Sequence, residues 1–168
     1  MKFVSFLLKG QPKFGVSDGK NITDLTGKIK GAQTLKELIV NNSINEAKEF
    51  SKKNPGKINV DEIDYLPVIP NPGKIVCVGL NYSEHVKETG RTVEQNPVIF
   101  LRVPESQTAH KQPIQRPKVS ESLDYECEMA VIMGDAGKHV QPKDALKHIV
   151  GYSCYNECTV REWQQHTR

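Results

Sequence analysis

Asp124-Tyr125-Glu126-Cys127-Glu128-Met129-Ala130-Val131-Ile132-Met133 decides the fold. The stretch alternates acidic with apolar or aromatic residues and then runs into an apolar, partly β-branched segment, which is the pattern of a strand. Successive strand side chains point to opposite faces, so Glu126 and Glu128 share one face while Tyr125, Cys127 and Met129 share the other. Two carboxylates side by side disfavour joint ionisation, and a divalent cation with oxygen ligands removes that penalty. The competing interpretation is an exposed face carrying two solvated glutamates, since Glu is normally exposed. The apolar run that follows favours an inward, functional pair.

Outward from this strand the chain reads as α+β and β-rich. Upstream, Lys74-Ile75-Val76-Cys77-Val78-Gly79-Leu80 is a continuous apolar run of the kind buried on both faces of a sheet. Further strands are predicted at Pro97 to Arg102, Leu123 to Met133 and Tyr152 to Asn156. Short helices fit Ser83 to Thr89, Pro142 to Val150 and Thr159 to Gln165. Leu66-Pro67-Val68-Ile69-Pro70-Asn71-Pro72-Gly73 holds three prolines in six residues and suits a stiff connector. The expected organisation is a small N-terminal domain over 1–66, a connector over 67–73 and a larger domain over 74–168. In the first of these, Phe3 to Leu8 reads as a strand, and Ser17-Asp18-Gly19-Lys20 between short apolar runs signals a hairpin. Thr34 to Val40 and Ser43 to Lys53 have helical periodicity, with Thr34 and Ser43 as N-caps and Pro55-Gly56 as a stop.

A chain of 168 residues can bury a genuine core. Its 23 basic and 20 acidic residues are spread along the whole length, so nothing argues for a nucleic-acid partner. No apolar run approaches the ~18 residues needed to cross a bilayer, and the N-terminal apolar stretch lacks a signal-peptide layout. A soluble, cytoplasmic protein with no membrane partner is expected. The four cysteines, Cys77, Cys127, Cys154 and Cys158, lie in or beside apolar stretches and read as reduced, mostly buried thiols. A zinc site from Cys154, Cys158, His148 and His166 fits none of the usual spacings.

Other residues could carry chemistry. His85 and Glu88 lie three apart in a predicted helical turn, so Glu88 could accept from one imidazole nitrogen and leave the other as a base. An exposed salt bridge is the plainer account of such a pair. Glu157 stands just before a helix start, where an acidic group is stabilising without any metal. Arg161 lies a turn further on; its planar fork suits a substrate carboxylate and equally suits Glu157.

Three blocks, Lys74 to His85, Asp124 to Glu128 and Gly151 to Gln164, resemble the fumarylacetoacetate hydrolase family in order and spacing. The resemblance implies a mixed β-roll preceded by a small N-terminal α+β domain, a homodimer, and Mg²⁺ or, in a looser shell, Mn²⁺ or Ca²⁺. It aligns Glu126, Glu128 and Glu157 with the metal-binding carboxylates, Glu157 standing where many members have Asp. It aligns His85 and Glu88 with a water-activating dyad, and Arg161 and Gln164 with substrate-holding positions. The expected reaction is hydrolysis of a carbon–carbon bond in an acylpyruvate-like or β-diketo acid, Glu88 orienting His85 as the base. Isomerisation or decarboxylation of hydroxymuconate-type diacids in aromatic catabolism is the rival, and a non-catalytic remnant of the fold is the third reading. Because family members usually continue well past Arg168, the larger domain is expected to be truncated.

Overall fold

The computed structural model of the chain describes residues 1–88 and 96–164, without the side chains of His85 and Glu88. Strand β1 (Lys2–Leu8) turns back through Lys9 and Gly10 into β2 (Gln11–Ser17). Their φ values of 52° and 77° are both left-handed, the combination whose twist suits a two-residue hairpin loop. The predicted Asp18-Gly19 turn then leads into β3 (Asn21–Asp24); Asp18 Oδ1 accepts the Lys20 and Asn21 N–H groups at 2.8 and 2.7 Å. Helix α1 (Leu35–Val40) starts on a capping box in which Thr34 Oγ1 accepts from the Glu37 N–H and Glu37 reaches back to the Thr34 N–H. Helix α2 (Ile44–Lys53) begins after Ser43, whose side chain makes no capping bond. Two short strands, β4 (Ile58–Asn59) and β5 (Asp64–Tyr65), complete an antiparallel sheet in the order β4-β3-β2-β1-β5. Phe14, Leu25, Ile29, Leu35, Leu38 and Ala47 form its core against the helices.

The connector is not free of this core. Ser5 Oγ donates to the Val68 carbonyl at 2.9 Å, and Val68 and Ile69 pack against the core residues. Beyond it come β6 (Ile75–Gly79), α3 (Ser83–Glu88) and β7 (Val98–Arg102), with β6 and β7 paired antiparallel from Gly79 opposite Val98 to Ile75 opposite Arg102. Leu80, at the turn into α3, has φ 53°, a left-handed conformation that is costly for a branched side chain.

A second ribbon holds β8 (Leu123–Asp124), β9 (Cys127–Met133), β10 (Ile149–Asn156) and β11 (Thr159–Val160), and it leads into α4 (Arg161–Gln164). β10 pairs with β9 and β11 with β8.

Three sequence expectations are corrected. The run at 74–80 is not buried on both faces: Val76 is 54% exposed, because β6 belongs to a two-stranded ribbon covered on one side. Pro142–His148 is a 3₁₀ segment, and Ile149 and Val150 already belong to β10. Thr159 and Val160 pair as a strand, so the helix starts only at Arg161. Along both ribbons one face is partly covered while the other exposes Leu101, Met129 and Tyr152, among others. Among the described residues no helix is long and apolar enough to cross a membrane.

Two stability predictions follow from the N-terminal sheet. A methyl group at Gly15 would collide with the Thr23 carbonyl oxygen and lie 2.8 Å from Ile22 Cγ2, whereas one at Gly73 meets nothing within 4 Å. Gly15→Ala should therefore cost about 1–3 kcal/mol in urea unfolding and Gly73→Ala close to nothing. Asp24 is part-buried, which pushes its carboxyl up, but the Lys13 ammonium at 2.6 Å and the Thr26 N–H more than offset this and leave it below its ordinary value. A lowered folded pKa means stability that is present above the unfolded value and lost as pH falls through the folded one. The difference in unfolding free energy between the wild type and Asp24→Asn should accordingly be greatest near neutrality and shrink below about pH 4.

Candidate metal centre

The two halves of the second ribbon are one interrupted ladder. Leu123 and Asp124 lie opposite Val160 and Thr159, and Cys127 and Glu128 opposite Asn156 and Tyr155, so the register is the same on both sides of the gap. Glu126 and Glu157 fall opposite each other inside it, and the Glu157 N–H still donates to the Glu126 carbonyl at 2.9 Å. The Asn156 side-chain oxygen accepts the Glu126 N–H at 3.2 Å, giving that amide a partner where the ladder is broken. Directly opposed residues of an antiparallel pair point to the same side, as do residues two apart on one strand. The backbone thus places Glu126, Glu128 and Glu157 on one face, the covered one.

Each carboxylate has its own donor. Glu126 Oε1 accepts from Thr159 Oγ1 at 2.6 Å and pairs with Arg161 Nη2 at 3.1 Å. Glu128 accepts from the Tyr82 hydroxyl, and this bond is the first cause that holds the Tyr82 phenol above its ordinary pKa. Glu157 Oε1 accepts from Arg102 Nε at 2.7 Å, while Arg102 Nη2 donates to the Cys158 carbonyl at 2.9 Å. Burial of Arg102 opposes its charge, and the bond to Glu157 more than offsets that effect, so the guanidinium is held more firmly protonated. Burial, followed by the hydrogen bond to Glu157, pushes the Cys77 thiol up to about 11. The Cys77 thiol is therefore protonated at physiological pH.

Arg161 sits on Asp124, through Nε and Nη2 both at 2.9 Å, as well as on Glu126, and its Nη1 donates to Gln164 Oε1 at 3.3 Å. Asp124, Glu126, Glu128 and Glu157 against Arg102 and Arg161 leave two negative charges in excess, which one divalent cation would neutralise. An all-oxygen donor set on one face suits Mg²⁺, Mn²⁺ or Ca²⁺ and not zinc. Among the described residues, no three His, Cys, Asp or Glu side chains are gathered closely enough to form a ready-made cage. The face fits a hard cation, and side-chain oxygens now paired with Arg161 and Tyr82 would have to turn to it.

The sequence-predicted residues separate accordingly. Glu126, Glu128, Glu157, Arg161 and Gln164 lie on or beside this ladder, with Arg161 facing carboxylates of its own chain. His85 and Glu88 belong to α3, and their side chains lie outside the described residues. His166, offered for the zinc alternative, lies outside them too. Sequence reasoning missed Arg102, Tyr82, Asp124 and Thr159. The signal for Thr159 and Asp124 was present, since the register set by Glu126 opposite Glu157 brings both to the same spot.

A sequence profile described as "Fumarylacetoacetate (FAA) hydrolase C-terminal" matches residues 74–168, more than half of the chain. "Oxaloacetate tautomerase fahd2, mitochondrial" from Xenopus laevis is 32% identical over 158 residues, which cover 91% of this chain and 50% of that protein. "Oxaloacetate tautomerase FAHD2A, mitochondrial" from Homo sapiens is 35% identical over 103 residues, 61% of this chain and 33% of that one. The chain therefore spans half or less of the length of these two relatives. Among solved structures, a fumarylacetoacetate hydrolase from psychrophilic Exiguobacterium antarcticum superposes with a TM-score of 0.81 at 30% identity, covering 99% of this chain and 58% of that one. Maleylpyruvate hydrolase from Sphingobium sp. SYK-6, in complex with manganese(II) and pyruvate, has the same fold at TM-score 0.76 and 22% identity, covering 96% of this chain and 60% of that one. On the profile match over residues 74–168, the chain belongs to the fumarylacetoacetate hydrolase family.

Proposed function

We propose that this chain carries the cation-binding part of an enzyme that moves protons on a small oxo acid, with tautomerisation of an oxaloacetate-like diacid as the first reaction to test. The observation that carries the reading is the pair Glu126 and Glu128, two apart on one strand and on the face where two negative charges are left over. The Xenopus and human relatives, named as oxaloacetate tautomerases, support the substrate class. A bound Mg²⁺ or Mn²⁺ would supply Lewis acidity to the oxo and carboxylate oxygens of the substrate.

The chain's own groups would do the rest. Glu126 and Glu128 hold the cation from the ladder. Arg161 would turn Nη1, now on Gln164, towards a substrate carboxylate while Asp124 keeps Nε in place. His85, oriented by Glu88, takes a proton from the carbon next to the oxo group and returns it to the enolate oxygen, and the reverse order converts the enol back to the oxo form. Hydrolysis of a carbon–carbon bond is the second reading, supported by the 30% identity to the Exiguobacterium hydrolase. There His85 takes its proton from water, the water oxygen joins the distal carbonyl carbon, and the released carbon receives the proton.

Two measurements test this. Glu126→Gln and Glu128→Gln should each weaken Mn²⁺ binding, followed by calorimetry, by about 10-fold or more while far-UV circular dichroism stays unchanged. Unaltered affinity in both variants would remove the cation site. His85→Ala should leave Mn²⁺ affinity unchanged and slow turnover by about 10²–10⁴-fold. Assayed on oxaloacetate and on an acylpyruvate, the substrate whose turnover responds identifies the reaction, and no response on either rejects His85 as the base.

A further inference from the structure

We infer that Glu157 is not a cation ligand in this chain. It is the anionic half of a clamp with Arg102, and the cation is left to Glu126 and Glu128. The inference rests on the proposed cation site and concerns which of three carboxylates on one face serves it.

The three carboxylates differ in what each would give up. Arg161 already makes two contacts of 2.9 Å to Asp124, so it can release Glu126 and keep a counter-ion. Tyr82, which donates to Glu128, is exposed and can turn to water. Glu157 is only 9% exposed, and its partner Arg102 is fixed at both ends, by Glu157 Oε1 at 2.7 Å and by the Cys158 carbonyl at 2.9 Å. Turning Glu157 Oε1 from Arg102 to a cation would leave a largely buried guanidinium without its anion, a strongly unfavourable change. Two carboxylates are enough for the ion, since Mg²⁺ and similar cations usually keep several waters and take further oxygens from the substrate.

Arg102 comes from β7 and Glu157 from the gap in the second ladder, so the pair joins the two ribbons and its work is in packing.

The test is a Mn²⁺ titration of the whole chain, followed by the electron paramagnetic resonance of free Mn²⁺. Glu157→Gln should keep its dissociation constant within about threefold of the wild type, whereas Glu126→Gln should raise it by about 10–100-fold. Glu157→Gln leaves Arg102 unpaired and could unfold. The double variant Arg102→Met with Glu157→Met leaves no charge behind, a replacement that buried pairs often tolerate. A folded double variant within about threefold of the wild type supports the clamp. A larger rise, in either variant with wild-type circular dichroism, overturns it and makes Glu157 a ligand. Wild-type protein that binds no Mn²⁺ would instead sink the cation site itself.

Discussion

The ion pair between Arg102 and Glu157 is the contact that ties together the two ribbons that follow the connector. A two-stranded ribbon is marginal in water by itself, and the described residues after the connector present two of them. Arg102 closes the far end of β7 and reaches over to the second ribbon, where it satisfies both a carboxylate and a carbonyl in the gap between β10 and β11. Opposite charge alone would be weak evidence for stability, because desolvation offsets much of the attraction. What makes this pair structural is that the Cys158 carbonyl, which has left the ladder, receives a donor from it. The interruption that frees Glu126 and Glu157 from regular pairing is thereby closed by a side chain from the other ribbon.

The N-terminal unit is joined to this arrangement by backbone acceptors. Gln107 donates to the Ile69 carbonyl and Gln112 to the Tyr65 carbonyl. His110 meets the Tyr65 ring edge-on with centroids 5.0 Å apart. The loop that follows β7 therefore lies on β5 and the connector, so the strand that carries Arg102 is anchored on one side by the N-terminal sheet and on the other by Glu157. Long-range contacts of modest individual strength place the carboxylate face in this way.

Local chemistry was legible in the sequence wherever it was self-contained. Asp18-Gly19 formed its turn, Thr34 formed its cap, and the alternation that puts Glu126 and Glu128 on one face held. The first hairpin was not read, because Pro12 stands inside β2 and proline argues against a strand interior. Strands β4 and β5 are two residues long each and leave no periodicity to detect. The segment 142–148 has helical spacing but becomes a 3₁₀ turn, since the strand after it is drawn into pairing with β9 from Ile149 onward. Arg102 was invisible as a site residue for a different reason. Fifty-five positions separate it from Glu157, and no local pattern encodes a meeting at that distance.

The unbroken register across the gap bears on how this segment can vary in evolution. Exchanging one side chain for another between Asp124 and Cys127 leaves every remaining residue on its own face. Inserting or deleting a single residue there would reverse the face of everything on one side of it, sending either Asp124 or the Glu128 strand to the opposite surface. The pairing of β8 with β11 would then be lost along with that of Glu126 and Glu157. Lineages descending from this sequence should accordingly change the letters of the Asp124 to Glu128 stretch much more freely than its length.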